Sequence, residues 1–282
     1  MPIKNGRTHT FNAEAHVLKG DLTLPLVQRI HPQAHNLLPA EGGYKAQHSN
    51  AFRVENVLTY GVGHSQSAGH EAIKEGPNNG WSTITTTVIE DLNVLEILTC
   101  DRIVGQVITE HPAEGYVPTI SFLGTRYENL RIGGYRVELE MDLNVLGDKP
   151  AKDGPYSKQD DVIKNVKEQY DHFHKNKNLP AHLKDKYNQL TSHLGKSEEL
   201  KCSVVKEASG LYPGHSYGNV IIVPHFGTIT LGAVRVFEED FTPTGTPKKT
   251  TVYLTMLDLN LGCAIHGNAT AGCIMQNGDS AP

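Results

Sequence analysis

The sequence predicts a mainly β protein: an antiparallel sandwich or barrel-like domain with an inserted α-helical hairpin. Three features carry that expectation. Segments rich in Val, Ile and Thr recur along the chain, and some alternate polar and apolar residues with the period of a half-buried strand. Clusters of Gly, Pro and Asn separate these segments with turn chemistry. Only one stretch, 155–200, changes to a helical period, so the βαβ alternation of a parallel α/β sheet is missing.

In chain order, the stretch from His9 to His70 reads as strand-rich, and 82–89 (STITTTVI) is dominated by β-branched residues. Residues 136–143 alternate strictly, and 219–223 and 250–257 continue the β pattern. Breaks fall at 75–80 (EGPNNG) and 242–247 (TPTGTP). Within the helical stretch, Ser157 is placed to cap a helix with Asp160 in its first turn. Val162, Val166, Tyr170 and Phe173 then share one stripe. Pro180 suits the start of a second helix, whose stripe is Leu183, Tyr187, Leu190 and Leu194, and Gly195 is a natural stop. The expected organisation is a β domain made of 1–154 and 201–282, with 155–200 as the inserted hairpin.

A weak repeat runs through the strands. Asp91-Leu92-Asn93-Val94-Leu95, Asp142-Leu143-Asn144-Val145-Leu146 and Asp258-Leu259-Asn260-Leu261-Gly262 share an acidic-Leu-Asn-apolar core. Val54-Glu55-Asn56-Val57-Leu58 and Tyr127-Glu128-Asn129-Leu130-Arg131 are looser copies. Asn suits a kink or bulge in a strand. Calcium would draw on the same oxygens, but the Asp-x-Asp-x-Asp loop is missing.

Composition narrows the function. The net charge of −5 over 282 residues leaves no basic footprint for nucleic acid. No apolar run reaches the roughly 20 residues that a transmembrane helix needs. The four cysteines, Cys100, Cys202, Cys263 and Cys273, contain no C-x-x-C pair. A three-residue hairpin loop at Gly267-Asn268-Ala269 would set Cys263 opposite Cys273, as a bridge or as two reduced thiols.

Taken together, Ala13-Glu14-Ala15-His16-Val17-Leu18, Asn56-Val57-Leu58-Thr59-Tyr60-Gly61, the Asn-Val-Leu units and Gly227-Thr228-Ile229-Thr230-Leu231-Gly232 resemble the choice-of-anchor type of bacterial surface domain. The closing segment from Thr255 to Cys263 adds to the resemblance, which covers most of the chain outside the hairpin. It implies a β domain held at a cell surface and brings no catalytic residues. Such domains usually follow a signal peptide and precede a C-terminal anchor, and neither is expected within these 282 residues. An extracellular or surface location is therefore expected if a signal peptide has been removed, and a cytoplasmic one otherwise.

Three groups of residues are candidates for chemistry. Gly214-His215-Ser216-Tyr217-Gly218 spells the G-x-S-x-G nucleophile elbow, with His215 and His225 as nearby bases. That motif needs a preceding strand and a following helix, whereas here a loop precedes it and a strand follows. Gly63-His64-Ser65-Gln66-Ser67 is a poorer copy. Among the 15 histidines, His64 and His70 beside Glu71 form the best metal candidate, converging across a turn with His48 or His16. No phosphate-cradling G-x-x-x-x-G-K loop is present.

The leading expectation is a non-enzymatic β-rich protein that binds a ligand or self-assembles. The alternative is a small-molecule enzyme using the His-rich loops with a divalent metal, or a serine hydrolase using Ser216. A homo-oligomer is expected, because 251–262 carries only Asp258 as a charge and is poorly defended if it forms a sheet edge.

Overall fold

The computed structural model describes residues 7–71, 80–175, 178–262 and 264–281. Its main strands are β1 (Ala13–Leu24), β2 (Gln28–Gln33), β3 (Gly43–Ser49), β4 (Val62–Glu71), β5 (Trp81–Val94) and β6 (Leu98–His111). After the helices α1 (Asp160–Lys175) and α2 (Ala181–His193) come β7 (Glu199–Ser203), β8 (His215–Tyr217), β9 (Val220–Val223), β10 (Gly227–Phe241), β11 (Pro247–Gly262) and β12 (His266–Gln276).

Two antiparallel sheets form an open sandwich and do not close into a barrel. The first, of ten strands, is built on β3–β4–β5–β6, and short strands extend it from β5 and β6. The second, of nine strands, runs β8–β9–β10–β11–β12–β1–β2, with β7 also paired to β10. The sequence expectation of an antiparallel sandwich with a helical insertion is therefore what the structure shows.

Strand β11 corrects the expectation of a weak edge at 251–262. It lies between β10 and β12, so its apolar residues are central rather than exposed at a rim. The hairpin loop expected at 267–269 is also displaced. Gly262 pairs with His266, which puts Gly267, Asn268 and Ala269 inside β12. Cys273 consequently stands opposite Thr255, while Cys263 lies outside the described residues. Among the described residues, Cys100, Cys202 and Cys273 are free thiols.

The sandwich core shows how the repeat works. From Val252 onward the buried positions of β11 are Val252, Leu254 and Met256, then Leu257, Leu259 and Leu261. The inward-facing parity thus switches between Met256 and Leu257. In the neighbouring strands Gly232 and Gly272 have left-handed φ values of +56° and +63° at the level of Met256. A side chain there would be strained, so glycine lets three strands turn over together. Gly105 on the facing sheet makes room for Met256, because a Cβ on Gly105 would meet the Met256 Cγ at 2.8 Å. Tyr127 locks the crossing by donating its hydroxyl to the Met256 carbonyl.

Some of the repeated Asn units mark turns, whereas Asn260 of the 258–262 copy lies inside β11. Asn93 accepts from the Glu96 backbone N–H where β5 turns into β6. Asp142 accepts from Asn144 N–H, and Asn129 donates to Asp101.

A polar bridge also joins the sheets. The buried Gln276 amide donates to Thr85 Oγ1 at 2.8 Å and to the Val107 carbonyl at 2.9 Å.

Close packing between β1 and β12 rests on Gly20. A Cβ there would lie 2.4 Å from the Asn268 carbonyl oxygen and 2.9 Å from the Ala269 Cα. These are backbone atoms that cannot rotate away. Gly20→Ala should therefore destabilise the protein by about 1–3 kcal/mol in denaturant unfolding. Gly262→Ala, whose Cβ would meet nothing within 4 Å, should be nearly neutral by the same measurement.

The helical hairpin follows its sequence stripes. Val162, Val166, Tyr170, Phe173, Leu183 and Tyr187 are buried in the same cluster as the sandwich core. Gly195 takes a left-handed φ of +76° just beyond α2, as a C-terminal stop does. Ser157 departs from the expected cap. It sits in a short 3-10 turn, Tyr156–Lys158, and gives its hydroxyl to Glu238 of β10 at 2.8 Å. The same carboxylate accepts from the backbone N–H groups of Tyr156, at 2.7 Å, and Ser157, at 3.2 Å. Glu238 N–H in turn donates to the Glu198 carbonyl, so both ends of the insertion meet at one residue.

No described helix is long and apolar enough to cross a membrane.

Candidate ligand-binding site

Where the hairpin lies over the second sheet, a cavity of about 320 Å³ opens. Its floor follows from strand register. Lys201, Arg235, Tyr253 and Met275 form one cross-strand row, and Ser203, Ala233, Thr255, Cys273 and His16 form the next on the same face. The roof is α1 and α2, which contribute Tyr170, Phe173, Lys186, Tyr187 and Leu190.

The roof is held in register by side chains that mimic a strand. Gln169 of α1 donates to the Ser203 carbonyl at 2.8 Å and accepts from Ser203 N–H at 3.0 Å. Tyr170 donates its hydroxyl to the Lys201 carbonyl. Phe173 and Tyr187 stack with ring centroids 3.5 Å apart and tie the two helices together. These bonds satisfy polar groups that the insertion would otherwise bury unpaired.

The lining is mixed in a defined way. Aromatic and aliphatic side chains form the walls, while Lys186, Lys201, Lys206 and Arg235 supply charge; among the described residues no carboxylate lines the cavity, and Asp258, cross-strand from the lining residue Thr230, interacts with Lys186 from beside it. Carboxylates just outside offset part of that charge. Glu199 lies 3.0 Å from Lys201 and 3.6 Å from Arg235, and Glu140 lies 2.8 Å from Lys206. Arg235 sits 4.1 Å above the Tyr253 ring, which orients its guanidinium along the floor. A second hollow of about 290 Å³ shares Tyr253 and Thr255 and continues the groove toward His16 and Lys19.

Burial in the floor suppresses chemistry. It pushes the thiols of Cys202 and Cys273 up from their ordinary range, so both are held as thiols rather than nucleophilic thiolates. Burial lowers His16 to about 4, which keeps its imidazole neutral.

The candidates read from motifs fall elsewhere. Ser216 is the middle residue of β8, paired with Ile221 in a hairpin, so no helix follows it as a nucleophile elbow requires. His215 is its direct neighbour in the strand and points to the opposite face. His225 lies in the turn beyond Val223, outside the β8–β9 ladder that holds Ser216. The structure does not bring these three side chains together.

His64 and His70 lie in the same strand, β4, six positions or about 20 Å apart. Glu71 follows His70. The structure joins His64 to His48 across the β3–β4 ladder instead, and His16 lies on the other sheet. Among the described residues, no group of three or more His, Cys, Asp and Glu side chains converges on one point.

Motif reading missed the cavity residues because Lys201, Arg235 and Tyr253 become neighbours only through strand register, across the β10–β11 hairpin and the β7–β10 pairing. The helical stripe was the one available signal, since Tyr170, Phe173 and Tyr187 face the same space.

Fold and site together define a β-sandwich domain with a helical insertion roofing a ligand-sized cavity. Residues 9–237 match the family model described as a domain of unknown function, DUF8256, and the chain belongs to that family. No curated protein and no solved structure matches it.

Proposed function

We propose that the protein is a non-enzymatic binding protein whose ligand is a small, largely apolar molecule with one anionic group. The observation that carries this reading is the cavity lining: aromatic and aliphatic walls with four cationic side chains and, among the described residues, no carboxylate in the wall itself. Its volume is at the lower end of sites that hold small molecules. Apolar walls would supply most of the affinity, and the cations would fix the orientation of the head group. The raised thiols and neutral His16 support binding rather than turnover.

Decanoate, decanol and decyltrimethylammonium test the reading, because they share a chain and differ in charge. Decanoate should raise the unfolding temperature in a concentration-dependent way, more than decanol does, and the cation should have little effect. Ala233→Trp fills the floor and should abolish the decanoate response, while Arg235→Glu should weaken it. Equal responses to all three amphiphiles, or an unchanged decanoate response in a folded Ala233→Trp variant, would contradict the proposal.

A further inference from the structure

On the opposite sheet, well away from the cavity, His48 of β3 and His64 of β4 face each other as a cross-strand pair. Both are exposed. Their Nδ1 atoms are 3.4 Å apart, while the ring centroids are 4.9 Å apart and the planes tilt by 56°. The two nitrogens are thus closer than the rings, and the Nδ1 edges point at each other.

The tautomer of His48 is fixed by its other nitrogen. Nε2 lies 2.9 Å from Asn50 Oδ1, a carbonyl oxygen that can only accept. Nε2 therefore carries the hydrogen, and Nδ1 turns a lone pair toward His64. In the free protein His64 Nδ1–H donates to that lone pair. Moving this proton to His64 Nε2, by exchange with solvent, leaves two lone pairs facing one point.

We propose that His48 and His64 form a solvent-open site for a zinc-type divalent ion. Metal–imidazole bonds of about 2.0–2.1 Å at a tetrahedral angle place two ligand nitrogens about 3.3–3.4 Å apart. The observed 3.4 Å fits that spacing, whereas a square-planar cis pair requires about 2.9 Å. Water completes the remaining positions. Asn50 is the positioning residue: it holds the His48 ring and tautomer as outer-shell partners of zinc-bound histidines do.

The ion would staple β3, which among the described residues pairs with β4 alone, to the body of its sheet. This adds to the ligand-binding reading and does not depend on it.

Titrate the intact protein with Zn²⁺ by calorimetry, and with Co²⁺ as a visible-absorbing substitute. One ion per chain is expected, with the intense visible bands of tetrahedral Co²⁺. His48→Gln and His64→Gln should each abolish that signal, and Asn50→Ala should weaken Zn²⁺ affinity roughly tenfold or more while leaving the bands in place. His70→Gln should change nothing. Binding that survives folded His48→Gln or His64→Gln, no binding by the wild type, or a stoichiometry of one ion per two chains would each overturn the proposal.

Discussion

Acidification from pH 7 to pH 4.5 should destabilise the protein by several kcal/mol, because its buried histidines resist protonation. Burial lowers His111 to about 3 and His16 to about 4, from an ordinary value of 6.5. Folded-state values below the unfolded value mean that the unfolded chain takes up protons first. The stabilising effect of the neutral rings is complete above pH 6.5 and is lost as pH falls toward the folded values. Each group costs about 1.4 kcal/mol per pH unit across that window, so the two remove roughly 5 kcal/mol by pH 4.5. That is comparable with the whole stability of a typical domain.

His9, stacked on Trp81 at 4.9 Å and tilted against His111 at 4.7 Å, is lowered to about 4 by burial and acts in the same direction. Glu238 acts oppositely. Its carboxyl is raised by burial, so protonation of the folded state is favoured and acidification across its window stabilises rather than destabilises. Denaturant unfolding at a series of pH values from 7.5 to 4.5 measures the sum. A stability that stays within about 1 kcal/mol over that range would refute the histidine account. His111→Phe should flatten the profile below pH 6.5, provided the variant is native at pH 7.5.

Glu238→Ala should destabilise the protein by about 3–5 kcal/mol, since it removes the one acceptor shared by three buried donors. Tyr156 N–H, Ser157 N–H and the Ser157 hydroxyl would all lose their partner at once. Tyr156 itself is fully buried and donates its own hydroxyl to the Pro118 carbonyl, so the loosened turn has nowhere to relax. Glu238→Gln keeps one carbonyl acceptor and should lose clearly less. The distinguishing readout is location: protease nicking within 157–198 should accelerate in Glu238→Ala before the sandwich itself unfolds. If the Ala and Gln variants are equally stable, the shared-acceptor account is wrong.

Much of the fold was legible because it depends on local pattern. β-Branched runs such as 82–89 became β5, and the stripes of Val162 to Phe173 and of Leu183 and Tyr187 became the two helices. Residues 136–143 alternate perfectly yet split, with Tyr135–Arg136 in one sheet and Glu138–Met141 paired to Val205–Ser209. Alternation reports exposure on two sides, and it does not report which partner supplies the ladder. The same limit hid the cavity, whose floor is written in the register of β7, β10 and β11. The histidine pair was half visible. His48 and His64 were both in view, but their meeting depends on the β3–β4 register, while the nearby His70 was drawn in by sequence distance alone.

The nine-stranded sheet also sets the order in which the molecule can be made. Its β1 pairs with β12, so residue 13 finds its partner at residue 276. A ribosome must therefore deliver almost the entire chain before that ladder can close. Until then the β12-side edge of β1 stays open, although its inward residue Val17 packs against Gly63 of the early-made β4. Closing so long a loop is an entropic cost met late, and topologies dominated by such distant pairs fold slowly. Early-made β3 to β6 can pair among themselves within 43–111 as soon as they emerge. The first sheet thus provides a template on which the second is assembled, and a chain stalled before β12 would keep β1 paired with β2 on one side while presenting its other edge, open, to any neighbouring strand.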